Sequence, residues 1–128
     1  LQGNQRSFRI KSKFSHSKLI DDWVFLSMET ITYNEKEERE VVVQDEKNVE
    51  TLSFHRSGSM SFVSMRNGKE KKGRGLWLIK DENIRIIAMK DTINAVYNID
   101  NGILTLATSE KGTDEFYGFT SIVKYKNN

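Results

Sequence analysis

Apolar and polar residues alternate along most of this chain, and turn residues cut the alternation at short intervals. The clearest stretch is Thr51 to Ile87, TLSFHRSGSMSFVSMRNGKEKKGRGLWLIKDENIRII. Ser57-Gly58, Asn67-Gly68 and Asp81-Glu82-Asn83 interrupt it. Alternation with period two predicts half-buried strands. Asn-Gly predicts a two-residue hairpin turn, because both positions accept positive φ. The stretch therefore reads as an antiparallel meander.

The rest of the chain continues that pattern. Lys18 to Tyr33 is rich in aromatic and β-branched residues and reads as a strand. Trp23, Phe25 and Ile31 share one parity, with Ser27 and Glu29 between them, while Val24, Leu26 and Met28 share the other. Both faces are apolar at the start, which predicts burial on both sides or a bulge. Asn34 to Glu40 reads as a solvated hairpin tip or strand margin, and Val41 to Gln44 as a short strand. Val49–Arg56 and Ser59–Arg66 follow as strands. The basic run Lys69 to Arg74 extends the hairpin tip or the margin of the next strand, Gly75–Lys80. Ile84–Lys90, Ile93–Ile99 and Ile103–Thr108 come next, separated by Asp91-Thr92 and by Asp100-Asn101-Gly102. Phe116–Lys126 closes the series.

Roughly nine short strands with local turns and no helix predict an all-β fold, an up-and-down antiparallel β-barrel of eight to nine strands. Closure removes the exposed edges that so long a sheet would otherwise carry. A two-sheet sandwich is the rival, and it needs longer crossings than most of these connections allow. The side chains predicted to face inward are Trp23, Phe25, Leu52, Phe54, Met60, Phe62, Trp77, Ile79, Ile86, Tyr97, Leu104, Leu106, Phe119 and Val123.

Composition narrows the chemistry. The 128 residues suit one domain. There is no proline, so turns rest on Gly, Asn, Asp and Ser. There is no cysteine, which excludes disulfides, zinc-thiolate sites and a thiol nucleophile. No apolar run approaches the roughly 20 residues of a membrane helix. The sequence starts at Leu1-Gln2-Gly3 without Met and reads as a mature or trimmed chain. The net charge of +2 is uneven: Arg6, Arg9, Lys11, Lys13 and Lys18 open the chain with no acid among them. The division read from this is a basic arm over 1–17, a flexible leader or an added edge strand, followed by the barrel domain over 18–128. Phe8, Ile10 and Phe14 share a parity that would suit strand pairing.

Leu19-Ile20-Asp21-Asp22-Trp23 resembles the Leu-x-Gly-x-Trp opening of lipocalin-like (calycin-type) barrels, with Leu19 and Trp23 matching and Asp21 standing where Gly is usual. Leu52 to Met60, Gly75-Leu76-Trp77-Leu78-Ile79 and the hairpin from Asn98-Ile99 to Leu104-Thr105-Leu106 are similar to further hairpins of that family. The likeness spans about residues 18–126 and is greatest to short lipocalin-like domains of bacterial secreted lipoproteins. It implies an eight-stranded barrel whose Trp23 plugs the closed end, and which encloses a small apolar ligand. It also implies a periplasmic, outer-membrane-anchored or extracellular location.

Candidate catalytic chemistry is sparse. His16 and His55 are the only histidines and have no ligand spacing around them, so no metal site is expected. No Gly-x-Ser-x-Gly elbow occurs. Gly73-Arg74-Gly75 has no following helix to make it a phosphate cradle. Lys69, Lys71, Lys72 and Arg74 lie near Trp77, a pairing that can bind single strands of nucleic acid; Glu70 interrupts the cluster, and a solvated tip is the plainer reading. The expectation is a non-enzymatic barrel with no cofactor and no nucleic-acid partner. Met60, Phe62, Trp77 and Tyr97 would wall a small-molecule site, with Ser27, Glu29 or Ser64 as polar contacts. The alternative is a filled barrel acting as an interaction module of the cell envelope, meeting a protein through loops 34–40 and 66–74.

Overall fold

The computed structural model describes residues 18–112 and 117–127. They form nine strands: β1 (Asp22–Tyr33), β2 (Glu37–Val43), β3 (Asn48–Phe54), β4 (Ser59–Arg66), β5 (Lys69–Lys80), β6 (Asn83–Ala88), β7 (Asp91–Asp100), β8 (Ile103–Glu110) and β9 (Gly118–Asn127). The basic arm over 1–17 lies outside the described residues.

Each strand from β3 to β9 pairs antiparallel with the next, and β1 closes the ring by pairing with both β9 and β3. The result is a closed, eight-stranded, up-and-down barrel with one extra strand, β2. The sandwich is thereby excluded. β2 and β3 share one edge of β1. β3 takes Asp22 to Val24, and β2 takes Ser27 to Tyr33. The Gln44 N–H donates to the Leu26 carbonyl at 2.9 Å, where the chain passes from one to the other.

Leu26 sits at a register break between Phe25 and Ser27 in the β1–β9 ladder. The extra residue reverses the side-chain phase. Trp23 and Phe25 face inward below it. Above it, Met28, Thr30 and Thr32 pair with Val123, Ser121 and Phe119 on the inner face.

The turns follow their chemistry. Asn67-Gly68 and Asn101-Gly102 both have positive φ at each position, as a type I′ hairpin requires. The turn after β6 falls at Met89-Lys90 and not at Asp91-Thr92, which begin β7. Met89 and Lys90 adopt φ of 51° and 76° without glycine. The run Lys69 to Arg74 belongs to β5, and Glu37 to Glu40 to β2. Both runs are polar, but β4 and β1 supply them with a full ladder of hydrogen-bond partners.

Leu19, Trp23, Phe25, Leu52, Phe54, Met60, Trp77, Ile84, Ile86, Ala95, Leu104, Leu106 and Tyr125 form one buried core. Ile79, Tyr97 and Val123 pack against it. The core is densest at the end where β1 begins. There the Trp23 indole N–H donates to the Leu19 carbonyl at 3.0 Å. Trp77 donates to the His55 carbonyl at 3.0 Å and meets Phe54 edge-on at 5.4 Å. Asp21 ties the entering chain down from three sides: its side chain accepts from the Asp22 backbone N–H and the Asn127 amide, and its carbonyl accepts from the Phe54 N–H. The opposite end carries the turns at Asn67-Gly68 and Met89-Lys90 and stays open.

Candidate functional site

The open half of the barrel encloses a cavity of about 440 Å³. Leu52, Met60, Ile86, Ala95 and Leu106, all buried, form its deep walls. Phe62, Met89, Ile93, Phe119 and Val123 form the upper walls, with Met89 and Ile93 about half exposed at the mouth. The pleat explains this set. Each of these residues except Met89, which sits in the β6–β7 turn, lies on the inner parity of its strand, with Leu52–Phe62, Ile86–Ile93 and Leu106–Val123 paired in register.

Two glycines open the wall on β5. Gly73 faces Phe62 across the β4–β5 ladder. A Cβ at Gly73 would stand 2.5 Å from Phe62 Cε1, so the ring lies over the bare backbone. A Cβ at Gly75 would run into the Ile87 carbonyl, where β5 passes from β4 to β6.

The polar groups facing the cavity are few. Glu50, Tyr125, Thr108 and Ser121 line it, and Lys71 and Asp91 stand exposed at its rim. The Tyr125 hydroxyl donates to Glu50 Oε1 at 2.7 Å. Arg66 Nη2 stands 3.9 Å from the same oxygen. The Arg66 guanidinium lies over the Phe25 ring, 4.8 Å from its centroid, and its Nη1 is buried without a hydrogen-bond partner among the described residues. Burial holds the Tyr125 phenol well above its ordinary pKa. The charge and hydrogen bond of Glu50 act in the same direction, and Arg66 opposes them.

Among the residues expected at a ligand site, Met60 and Phe62 reach the cavity. Trp77 faces inward but lies in the packed closed end, tied to His55 and Phe54. Tyr97 also faces inward, but at the closed-end margin beside Lys18, Asp81 and Glu82. Its phenol is raised by burial and then by the Glu82 charge. Ser27 and Glu29 are on the outer face, because the bulge at Leu26 reverses their phase. Glu29 accepts from Arg39 Nη1 at 2.9 Å there. Ser64 is buried on the inner face, in register between Glu50 and Lys71.

Glu50, Tyr125, Lys71 and Asp91 carry the cavity's polar chemistry and were not among the expected contacts. A signal existed for Glu50 and Tyr125. Glu50 is in phase with Leu52 and Phe54, and Tyr125 with Phe119 and Val123. The Lys69 to Arg74 cluster does not present an aromatic platform, since Trp77 is buried and Lys71 alternates in facing with Lys72 and Arg74. Among the described residues, no three His, Cys, Asp or Glu side chains come together as a metal site, and no helix is long and apolar enough to cross a membrane.

No family model, curated protein or solved structure matches this chain. The barrel is compatible with a lipocalin-like fold on architecture alone.

Proposed function

We propose that this protein is a non-enzymatic, lipocalin-like barrel that binds a small apolar or amphipathic molecule in its open half. The carrying observation is the 440 Å³ cavity, walled by aliphatic, aromatic and thioether side chains with few polar groups. That volume lies within the roughly 300–1,000 Å³ of known small-molecule sites, and the apolar lining matches their character. The buried Leu19–Trp23 plug supports the calycin reading.

Native mass spectrometry of protein purified without refolding tests the proposal, with a co-purified small molecule as the expected result. Titration with an environment-sensitive apolar dye gives a second readout. Ser121→Trp, which places an indole across the mouth, should abolish dye binding while circular dichroism stays that of a β-barrel. Equal dye binding by wild type and Ser121→Trp would remove the cavity as the site.

The second reading is a filled-core interaction module. The closed half favours it, since Leu19, Trp23, Phe25, Phe54 and Leu104 leave almost no exposed surface there. It predicts no co-purified molecule and no dye binding. Placement at a bacterial cell envelope is part of the proposal and rests on the resemblance around Leu19 and Trp23. Recovery of the natural protein in the cytoplasmic fraction would sink that part alone.

A further inference from the structure

The polar groups of the cavity bear on what kind of head group its ligand carries. Among the described residues, Glu50 is the one acidic side chain set into the wall, with its side chain 17% exposed. Its Oε1 accepts the Tyr125 hydroxyl at 2.7 Å, and Arg66 Nη2 stands 3.9 Å away. A carboxylate has about four lone-pair positions on its two oxygens, so these contacts leave it able to accept further donors. The second carboxylate facing the cavity, Asp91, stands at the rim.

Two cationic groups oppose them. Lys71 is exposed at the rim, on a flexible stem that reaches water. Arg66 does not line the cavity. Its charge is directed toward Glu50 and its plane rests on Phe25. An anionic head entering the cavity would meet Lys71 and Asp91 together at the rim, and Glu50 deeper in the wall. A cationic head would meet an acceptor, together with the aromatic side chains of Phe62, Phe119 and Tyr125 in the wall. Aromatic faces attract cations, most strongly where water is excluded. Arg66 over Phe25 shows the same preference within this barrel.

We propose that the cavity selects amphipathic amines, with the apolar body among Leu52, Ile86 and Leu106 and the ammonium group donating to Glu50. This rests on the reading of the cavity as a ligand site, and names the class of molecule that site takes.

The test uses the full chain and three probes of one chain length: n-decylamine, n-decanol and n-decanoate. Each is titrated calorimetrically near neutral pH, below its micelle concentration. Decylamine should bind about tenfold or more tightly than decanol, a difference of about 1.4 kcal/mol, and decanoate should bind more weakly than either. In Glu50→Gln the amine-to-alcohol ratio should fall toward one. Should that variant unfold, Asp91→Asn provides a second measure, with a partial fall in the same ratio. Decanol binding without an amine preference would overturn the head-group assignment and leave the apolar site standing. A preference for decanoate would overturn it too, and would turn attention to Arg66. An undiminished amine preference in a folded Glu50→Gln would remove Glu50 from the role. Failure of all three probes to bind would overturn the cavity reading itself.

Discussion

The Phe62 ring occupies the space in which Gly73 would otherwise carry a side chain: a Cβ there would stand only 2.5 Å from the ring's edge. The pair sits in register across β4 and β5, at the cavity wall. Glycine here is a packing requirement and not a turn requirement. Gly73→Ala should push Phe62 toward the cavity and crowd Met89, whose sulfur would also stand 3.0 Å from the new carbon. Overpacking of this kind costs about 1–3 kcal/mol where neighbours cannot yield. The Phe62 ring tip can yield into free volume, so the stability loss should fall at the low end. Dye affinity should fall by a larger margin, which equilibrium titration of folded Gly73→Ala would measure.

Trp23 tests the closed end. It is 1% exposed, and its indole N–H is satisfied by the Leu19 carbonyl. Trp23→Ala should lower the unfolding free energy by about 3–5 kcal/mol, as truncation of a buried aromatic does. Trp23→Phe keeps much of the packing but orphans the Leu19 carbonyl, and should cost less. Urea unfolding of both variants checks the order. A loss in Trp23→Ala below about 1 kcal/mol would contradict its place as the plug.

The Met89-Lys90 turn stores backbone strain that glycine would relieve. Both residues lie in the left-handed region, at φ of 51° and 76°. A left-handed conformation costs an L-residue roughly 1–2 kcal/mol. Lys90→Gly should therefore stabilise the protein by about 1 kcal/mol or less, after the extra freedom of glycine in the unfolded chain is subtracted. Thermal unfolding reads this directly, and a lower midpoint would contradict the expectation.

Tyr125 sets an alkaline limit on stability. Burial, reinforced by Glu50, keeps its proton on in the folded state to higher pH than in the unfolded chain. The contribution is fully present below about pH 10, the unfolded value. It is lost as pH rises from there through the folded value, because the unfolded chain then binds fewer protons. Wild type should lose unfolding free energy over that window, and Tyr125→Phe should lose less. A spectrophotometric titration should show Tyr125 ionising last, together with unfolding.

Much of the fold was legible because local chemistry and global closure agree. Asn67-Gly68 and Asn101-Gly102 could serve as little other than hairpin turns, and the phase of Leu52, Phe54, Met60 and Phe62 then fixes an inner face. The sequence is less explicit at Leu26. A bulge inserts one residue without any required residue type, so Ser27 and Glu29 read as inward while the ladder turns them outward. Trp77 and Tyr97 illustrate a different gap. Their facing was readable, but their height along the barrel depends on how far tilted strands are staggered, which alternation does not encode. Lys71 and Gly73 were obscured by charge: a strand whose inner positions are Lys69, Lys71, Gly73 and Gly75 has no apolar signature until Trp77.

Among the described residues, β2 is hydrogen-bonded along one edge only, to β1, at the outside of an otherwise closed ring. A free edge is a template for another chain, and Val41 and Val43 are exposed on this one. Glu37, Glu38, Arg39 and Glu40 occupy the rest of the strand, with Arg39 held between Glu29 and Glu37. A copy docking edge to edge in antiparallel register about Glu40 would bring the two Glu40 side chains together. The charges of β2 act against edge-to-edge pairing, and neutralising Glu38 and Glu40 together should make that free edge more adhesive.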